Sequence, residues 1–241
     1  MPRRLRIVAI VQARMSSKRL PGKVMKPVAG IPMLQYLLER VSRATRIDEM
    51  LVATSDGVED DVIAAHCKSL NTNCFRGSLM DVAGRFAGAL NAFPAEIFIR
   101  ICGDSPLIDP RLMDHGIELF LSSACDIVTN VFPKTFPAGQ SVEILRTSVF
   151  LPTVERMTAS ADREHVTPYF YRHPRDFQIR NFTADSDLSG IRLSVDTYED
   201  FHRLCDIVDR MELAHWRYRL EDIIRLYRQT AVNGKNDSCE N

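Results

Sequence analysis

The sequence predicts a Rossmann-like, three-layer α/β fold with a mixed sheet at its centre. Short apolar runs of strand length alternate with longer stretches whose apolar residues recur at helical spacing, and the first run ends in a basic turn. The chain has 241 residues, of which 45% are hydrophobic, so it can bury such a sheet in one domain. We assign residues 1–230 to this domain and expect the polar residues 231–241 to form a disordered tail.

The first half of the chain alternates regularly between the two kinds of element. Residues 6–12 form a β-branched run, and residues 33–46 place Leu34, Leu37 and Val41 on one helical face. The same criteria predict strands at residues 49–54, 73–76, 96–101 and 126–129, and helices at residues 58–70, 79–93 and 110–122.

Between residues 130 and 181 the regular pattern is lost, because prolines and a glycine interrupt it repeatedly. We interpret this stretch as an insertion within the domain that forms a lid over a site or a dimerisation arm. After it, residues 191–195 predict a strand that returns to the sheet, and residues 198–211 and 220–229 predict helices.

A basic loop, residues 12–23, follows the first strand and holds four cations, two serines and the pair Pro21-Gly22. Backbone N–H groups and cationic side chains at the carboxyl end of a parallel strand suit the binding of a polyphosphate. A solvated charged loop is the alternative. Proline fixes φ and glycine permits a left-handed backbone just before Lys23, which favours a built site. The loop has neither the Walker A nor the dinucleotide-binding glycine pattern.

Two aspartates follow predicted strands and are candidates for binding a divalent cation. Asp104 comes after Gly103 at the end of a buried run, and Asp196 comes after residues 191–195. Magnesium prefers a few carboxylates together with phosphate oxygens and water. Capping of the helix that follows is the alternative role for both aspartates.

Composition excludes several other classes of protein. Equal counts of 31 basic and 31 acidic residues argue against a nucleic-acid-binding protein or one that binds an anionic membrane. No apolar run is long enough to span a bilayer and the first residues do not resemble a signal peptide, so we expect a cytoplasmic protein. The six cysteines lack zinc-site spacing. Cys102 lies inside the Gly-Asp motif but has no adjacent histidine to activate it as a nucleophile.

Six motifs, in this order, resemble those of the sugar-acid cytidylyltransferases, which include the CMP-Kdo and CMP-sialic acid synthetases. The resemblance is strongest to the spore-coat-polysaccharide-type branch and covers residues 5 to 210. The motifs are QARMSSKRLPGK at 12–23, VATSD at 52–56, FRGS at 75–78, RICGDSPLID at 100–109, REHVTPY at 163–169 and LSVDT at 193–197.

The resemblance implies roles for the residues of the first four motifs and the last. Residues around the nucleotide would be Ala13, Arg14, Ser17, Arg19, Lys23, Thr54, Arg76, Arg100 and Asp104. Arg14, Lys23 and Asp104 would act in catalysis, and Asp104 and Asp196 would bind Mg²⁺. Thr54 and Arg76 could equally belong to ordinary strand-to-helix connections.

For the inserted segment, the resemblance implies an acceptor pocket lined by Gln140, Glu143, Arg163, Glu164 and His165. Arg163 would hold an acceptor carboxylate in a forked geometry. We do not assign His165 as a general base, because a lone histidine is more often a structural hydrogen-bonding group.

The chain departs from the branch at two places. It has Gln140 or Ser141 where the branch usually has an aspartate, and Gly84 where an acidic residue is common.

The expected reaction is the Mg²⁺-dependent transfer of CMP from CTP to a small acidic sugar, with release of pyrophosphate, for surface glycan biosynthesis. The resemblance also implies a homodimer joined through the inserted segment. A cytidylyltransferase for a phosphate or phosphonate acceptor is one alternative. A pathway protein that binds CTP without turning it over is another.

Overall fold

A seven-stranded mixed sheet between two layers of helices confirms the predicted fold class. The structure is a computed structural model, and it describes residues 4–236. The strands are β1 Ile7–Gln12, β2 Pro27–Val28, β3 Ile31–Pro32, β4 Glu49–Ser55, β5 Asn73–Gly77, β6 Ile97–Cys102, β7 Ile127–Thr129, β8 Glu143–Arg146 and β9 Ile179–Asn181. Strands β2 and β3 form a separate hairpin, and the other seven form the sheet.

The helices pack on both faces of the sheet. They are α1 Met33–Val41, α2 Asp61–Ser69, α3 Val82–Ala92, α4 Pro110–Leu121, α5 Thr147–Arg156, α6 Ser160–His165, α7 Pro168–Arg172, α8 Tyr198–Val208 and α9 Leu220–Asn236. Among residues 4–236, none of these helices is both long enough and apolar enough to cross a membrane.

The strand order is β5-β4-β1-β6-β8-β7-β9. The first four of these strands are parallel, whereas β8 runs antiparallel to both β6 and β7. Strand β1 pairs with β4 on one side and with β6 on the other, so the chain order reverses at β1. Open α/β sheets bind ligands at the carboxyl ends of the strands beside such a reversal. The basic loop begins at this point, because Gln12 is the last residue of β1.

Strand β1 shows how the sheet separates two apolar cores. Ile7, Ala9 and Val11 pack into one core with α1, α4, α8 and α9, while Val8 and Ile10 pack into the other with α3, α5 and α7. Successive side chains of a strand point to opposite faces, so a strand buried on both faces is a continuous apolar run. This run is the signal that made β1 predictable from the sequence.

Helices α1, α2, α3 and α8 are shorter than predicted, and at α1 and α3 a side-chain carboxylate bonds to the backbone beside the helix end. The helix predicted for residues 33–46 ends at Val41, and the backbone N–H groups of Thr45 and Arg46 donate to the carboxylate of Asp114. The helix predicted for residues 79–93 begins at Val82, since the carboxylate of Asp81 accepts the N–H of Gly84 as an N-cap.

The inserted segment, residues 130–181, is part of the sheet as well as an excursion from it. It contributes β8, which lies between β6 and β7, and β9 at the sheet edge. Strand β8 escaped prediction because it begins with Glu143 and ends with Arg146, which leaves only two apolar residues between them, although Glu143 is only 4% exposed. A buried charge at the start of a four-residue strand hides the pattern by which strands are recognised.

The strand predicted for residues 191–195 is wrong. These residues contain a bend at Ser194 and form only an isolated bridge between Ala138 and Arg192. Leu193 donates its N–H to Ala138 at 2.8 Å, and the N–H of Val195 donates to the carbonyl of Asp104 at 2.8 Å. Strand β8 already occupies the side of β6 where a returning strand could pair, so the alternating residues 191–195 bond to loops instead.

The C-terminal helix α9 continues to Asn236. Residues 231–236, which the sequence assigns to a disordered tail, are therefore helical. No proline interrupts the chain after Leu220, so the helix can continue through this polar stretch. The remainder of the predicted tail, residues 237–241, lies outside the described residues.

The buried guanidinium of Arg40 links α1 to two distant segments. It is fully buried and donates to the carbonyls of Ile108 at 2.7 Å, Tyr218 at 2.9 Å and His215. Arg40→Met removes the guanidinium donor from all three carbonyl groups. We expect the free energy of unfolding, measured by urea denaturation, to fall by about 3 kcal/mol.

Arg225→Met is the matched control, because Arg225 is exposed and should change the same quantity by less than about 1 kcal/mol. Equal losses of stability in the two variants would contradict the role assigned to Arg40.

Candidate active site

The basic loop and the residues that follow β6 enclose a cavity of about 390 Å³, which we call the first cavity. The loop occupies the carboxyl end of β1, and Asp104 lies two residues beyond the adjacent β6. Helix α6 supplies the opposite wall. The predicted site residues that line this cavity are Ala13, Arg14, Ser17, Arg19, Lys23, Asp104, Glu164, His165 and Asp196.

The conformation of the basic loop depends on Gly22. Its φ of 69° lies in the left-handed region, and its N–H donates to the carbonyl of Met15 at 2.9 Å, which closes the loop on itself. A side chain is strained in this backbone conformation. Lys23 then begins a short 3-10 turn, which directs its side chain back under the loop.

The ammonium group of Lys23 connects the two predicted metal ligands. Its Nζ lies 3.0 Å from Oδ1 of Asp196 and 3.5 Å from Oδ2 of Asp104, and it donates to the carbonyl of Val195 at 2.6 Å. The lysine is only 9% exposed. Asp104 and Asp196 are far apart in the sequence, and the buried ammonium group of Lys23 holds their carboxylates close together.

Asp196 is surrounded by further cations. Its Oδ2 lies 3.2 Å from Arg19 and 3.4 Å from Arg192. Burial raises the pKa of Asp196, but the hydrogen bond and charge of Lys23 and the charges of Arg19 and Arg192 outweigh it, so the pKa is lowered. The carboxylate is therefore ionised and able to bind a cation.

The donor set of Asp104 and Asp196 fits a magnesium ion. Both carboxylates reach one ammonium group, and both line the first cavity, where phosphate oxygens and water could complete an octahedral shell. Within residues 4–236, no group of three or more histidine, cysteine, aspartate or glutamate side chains is arranged to hold a metal ion alone. A metal here would thus depend on ligands that the substrate supplies.

A second cavity, of about 270 Å³, adjoins the first and shares Cys102, Asp104 and Asp196 with it. Arg100 and Glu143 line this cavity and form a salt bridge in which both side chains are nearly buried. The two cavities meet at the aspartates, so molecules bound in each would come together there.

The pair of Arg100 and Glu143 belongs to a hydrogen-bonded network. Arg100 Nε donates to Gln12 Oε1 at 3.1 Å, and the hydroxyl of Tyr171 donates to Glu143 Oε1 at 2.6 Å. Burial and the Glu143 carboxylate raise the pKa of Tyr171, so the phenol stays protonated and remains a donor. Arg100 is thus held between Gln12 of β1 and Glu143 of β8, and Tyr171 fixes the second oxygen of Glu143.

Asp60 is not among the predicted site residues, yet it holds the basic loop in place. Its carboxylate accepts the N–H of Met15 at 2.7 Å, the hydroxyl of Thr54 at 2.9 Å and the N–H of Ser55 at 2.9 Å. Burial raises its pKa, but hydrogen bonds from Ser55, Met15 and Thr54 outweigh this effect and lower it. An aspartate at the start of a helix looks like an ordinary cap in sequence, which is why it was missed.

Two predicted nucleotide-binding residues do not line either cavity. Thr54 is fully buried, and its hydroxyl donates to Asp60. Arg76 donates to the carbonyl of Gly57 at 2.7 Å and to the carboxylate of Asp61 at 2.6 Å. Both residues therefore have structural roles in the connection between β4 and α2, which was the alternative left open by the sequence.

Gln140 is also structural, in contrast to its predicted role in binding an acceptor. It is fully buried, and its amide accepts the N–H of Asp109 at 2.9 Å and donates to the carbonyl of Leu107 at 2.8 Å. An amide can both donate and accept, whereas the aspartate usual in this region would only accept. A glutamine at position 140 can thus bond to both a donor and an acceptor in the loop after β6, which an aspartate could not do.

Arg163 points away from both cavities. Its guanidinium pairs with Asp81 at 2.7 Å and donates to the carbonyl of Met157 at 2.8 Å. Gly84 permits this arrangement, because a Cβ there would lie 2.4 Å from Oδ2 of Asp81. Gly84 and Arg163, which are far apart in the sequence, therefore both contribute to one contact between α3 and α6. Because its guanidinium is used in this contact, Arg163 does not line the predicted acceptor pocket.

Cys102 lines both cavities but lacks the features of a nucleophile. Loss of hydration raises the pKa of its thiol to about 12, and the charge of Arg100 only partly opposes this effect. The thiolate is the reactive form of cysteine. We expect Cys102 to react with iodoacetamide at pH 8 at least about tenfold more slowly than a free thiol, as measured by peptide mass spectrometry.

The test includes urea-unfolded protein as the control, in which Cys102 should react at the rate of an ordinary thiol. A native rate equal to the unfolded rate would contradict the raised pKa.

Asp60→Asn tests the anchoring of the basic loop. The folded pKa of Asp60 lies below its unfolded value, so its stabilising effect is present above about pH 4 and is lost as the pH falls through the folded pKa. We expect the variant to have a lower free energy of unfolding than the wild type at pH 7. This difference should shrink below about pH 4 in urea denaturation curves.

Asp61→Asn is the neighbouring control, since the Asp61 side chain is 62% exposed. It should change stability little at either pH, and a pH-independent effect of Asp60→Asn would exclude a contribution from its charge.

Comparisons with known proteins agree with the geometry. The family model for cytidylyltransferases matches residues 8–237. The spore coat polysaccharide biosynthesis protein SpsF of Bacillus subtilis is 32% identical over 206 residues, which cover 82% of this chain and 84% of that protein. A 3-deoxy-manno-octulosonate cytidylyltransferase of Syntrophobacter fumaroxidans is 34% identical over 184 residues, which cover 76% of this chain and 69% of that protein.

The fold has a close counterpart among solved structures. A cytidylyltransferase from Leptospira borgpetersenii superposes with a TM-score of 0.90 at 28% sequence identity, covering 95% of this chain and 96% of that chain. A family match over nearly the whole chain and a shared fold lead to the same conclusion: this chain belongs to the cytidylyltransferase family.

Proposed function

We propose that this cytidylyltransferase transfers CMP from CTP to a hydroxyl group of a 2-keto sugar acid and releases pyrophosphate. The observation that carries the proposal is the position of Asp104 and Asp196 between two cavities, one of which is lined by the basic loop. Such an arrangement suits a nucleoside triphosphate in the first cavity and an acceptor in the second.

The basic loop would bind the triphosphate. Arg14, Ser17, Arg19 and Lys23 line one cavity and supply positive charge and a hydroxyl group where phosphate oxygens would lie. The acceptor oxygen forms a bond to the α-phosphorus, the bond to the bridging oxygen breaks, and pyrophosphate leaves with that electron pair while the hydroxyl proton is released. Preorganised cations stabilise the charge that develops on the leaving group. No covalent intermediate with the protein is required.

Asp104 and Asp196 would hold a magnesium ion, which would neutralise phosphate charge and lower the pKa of the acceptor hydroxyl. Lys23 contributes independently of the metal, because its ammonium group is placed beside both carboxylates and at the edge of the first cavity. It can therefore contact phosphate oxygens without a large movement of the chain.

The names of two relatives support an acidic sugar as the acceptor class. One relative acts on 3-deoxy-manno-octulosonate, and another takes part in spore coat polysaccharide biosynthesis. We accordingly propose a role in surface polysaccharide biosynthesis, carried out in the cytoplasm, where CTP is made. We also propose that the enzyme is a homodimer.

Pyrophosphate release tests this function directly. We expect release with CTP, Mg²⁺ and one member of a panel of 2-keto sugar acids, little release with ATP, GTP or UTP, and loss of activity in excess EDTA. Lys23→Ala should lower kcat by about 100-fold or more at saturating CTP, because it removes a cation beside the leaving group.

Lys68→Ala is the control for general loss of positive charge, since Lys68 lies exposed on α2. Full turnover by Lys23→Ala at saturating nucleotide would overturn the role of the loop. Tight binding of CTP in calorimetry, without release from any acceptor, would instead indicate a non-catalytic protein.

A further inference from the structure

The second cavity contains two cations that the proposed reaction has not used. Lys134 and Arg192 line it together with Arg100, and the opposite charges are Asp104, Glu143 and Asp196. A cation that already pairs with a carboxylate of the protein is less available to a ligand, so the ion pairs in this cavity determine which cations a ligand can bind.

Most charges in this cavity are already neutralised within the protein. Arg100 is paired with Glu143, and Lys23 lies against both aspartates. Lys134 is exposed, and its ammonium group makes no hydrogen bond or ion pair with any residue in the range 4–236. Within the described residues the guanidinium of Arg192 has one polar partner, the carboxylate of Asp196 at 3.4 Å, and the side chain is 50% exposed.

The backbone brings the segments of these two cations side by side. The N–H of Leu188 donates to the carbonyl of Thr135 at 2.7 Å, and the N–H of Ala138 donates to the carbonyl of Ile191 at 2.9 Å. Gly139 makes the approach possible, since a Cβ there would lie 2.7 Å from backbone atoms of the neighbouring segment. The cations are thus carried by two mutually bonded segments rather than by independent loops.

Two hydroxyl groups complete the lining. Ser141 and Ser194 both border the cavity, and within the described part of the chain neither hydroxyl has a hydrogen-bonding partner. Two unpartnered hydroxyls beside the unpaired Lys134 and the half-exposed Arg192 suit a ligand that carries both an anionic group and several hydroxyl groups.

We propose that Lys134 and Arg192 bind the carboxylate of the acceptor, while Ser141 and Ser194 bind its hydroxyl groups. This assignment rests on the proposed function, because it places the acceptor in the second cavity. Arginine offers paired N–H donors that match a carboxylate, and lysine adds a point charge. The role replaces the one predicted for Arg163, whose guanidinium is occupied by Asp81.

The experiment removes the positive charge from the protein and, separately, the negative charge from the acceptor, and compares the two effects. Lys134→Met and Arg192→Gln are compared with wild type, using the most active sugar acid of the panel and its C1 amide. We expect each variant to raise KM for the acid by about 10- to 100-fold and to leave KM for CTP within about twofold. Wild type and variants should differ much less on the amide, which has no carboxylate to bind.

Two further variants exclude trivial explanations. Lys134→Arg keeps the charge and should recover most of the affinity for the acid, whereas a role in folding would not respond to charge in this way. Lys68→Met provides the exposed control on α2. Unchanged KM for the acid in both Lys134→Met and Arg192→Gln would overturn the inference and leave the transferase function intact.

Failure of the proposed function has a different signature. If no acid supports pyrophosphate release, calorimetry with 3-deoxy-manno-octulosonate and N-acetylneuraminate, each in the presence of CTP, tests the anion site alone. Binding of either acid that weakens at least about tenfold in the variants supports the inference even then. No binding, equal binding by wild type and variants, or a preference for phosphonate over carboxylate overturns it.

Discussion

The site depends above all on the buried ammonium group of Lys23. It lies at the end of the basic loop, and its contacts reach Asp104 after β6 and the segment at Val195 and Asp196. Carboxylates that share a site repel each other unless a cation lies between them. Lys23 supplies that cation, so the geometry of the two cavities is set before any ligand binds.

Buried carboxylates fix the surrounding loops in a similar way. Asp60 accepts backbone and hydroxyl donors from the basic loop and from β4, and Glu143 fixes Arg100 through its own pairing and through Tyr171. A buried carboxylate is costly unless its oxygens accept hydrogen bonds, and both oxygens of Asp60 and of Glu143 accept them. The resulting rigidity explains how a loop with four cations can keep one conformation despite their mutual repulsion.

The sequence predicted the sheet and the floor of the site, because these depend on local patterns such as the apolar run of β1 and the glycine before Lys23. It could not tell which polar groups were already occupied. Gln140 and Arg163 have the chemistry of ligand-binding residues, but Asp109 and Asp81, which bond to them, lie more than twenty residues away in the chain. Likewise, residues 191–195 have the pattern of a strand, and only the presence of β8 beside β6 excludes them from the sheet.

The two cavities are built from different parts of the chain. The first relies on the basic loop and the turn after β6, whereas residues 134–143 and 192–196 form most of the second. Apart from Glu143 in β8, these residues belong to loops, which tolerate substitution better than the sheet does. With the proposed placement of the nucleotide in the first cavity and the acceptor in the second, substitutions in residues 134–143 and 192 would alter the acceptor site and spare the nucleotide site. These residues are therefore the first to redesign for a new sugar nucleotide.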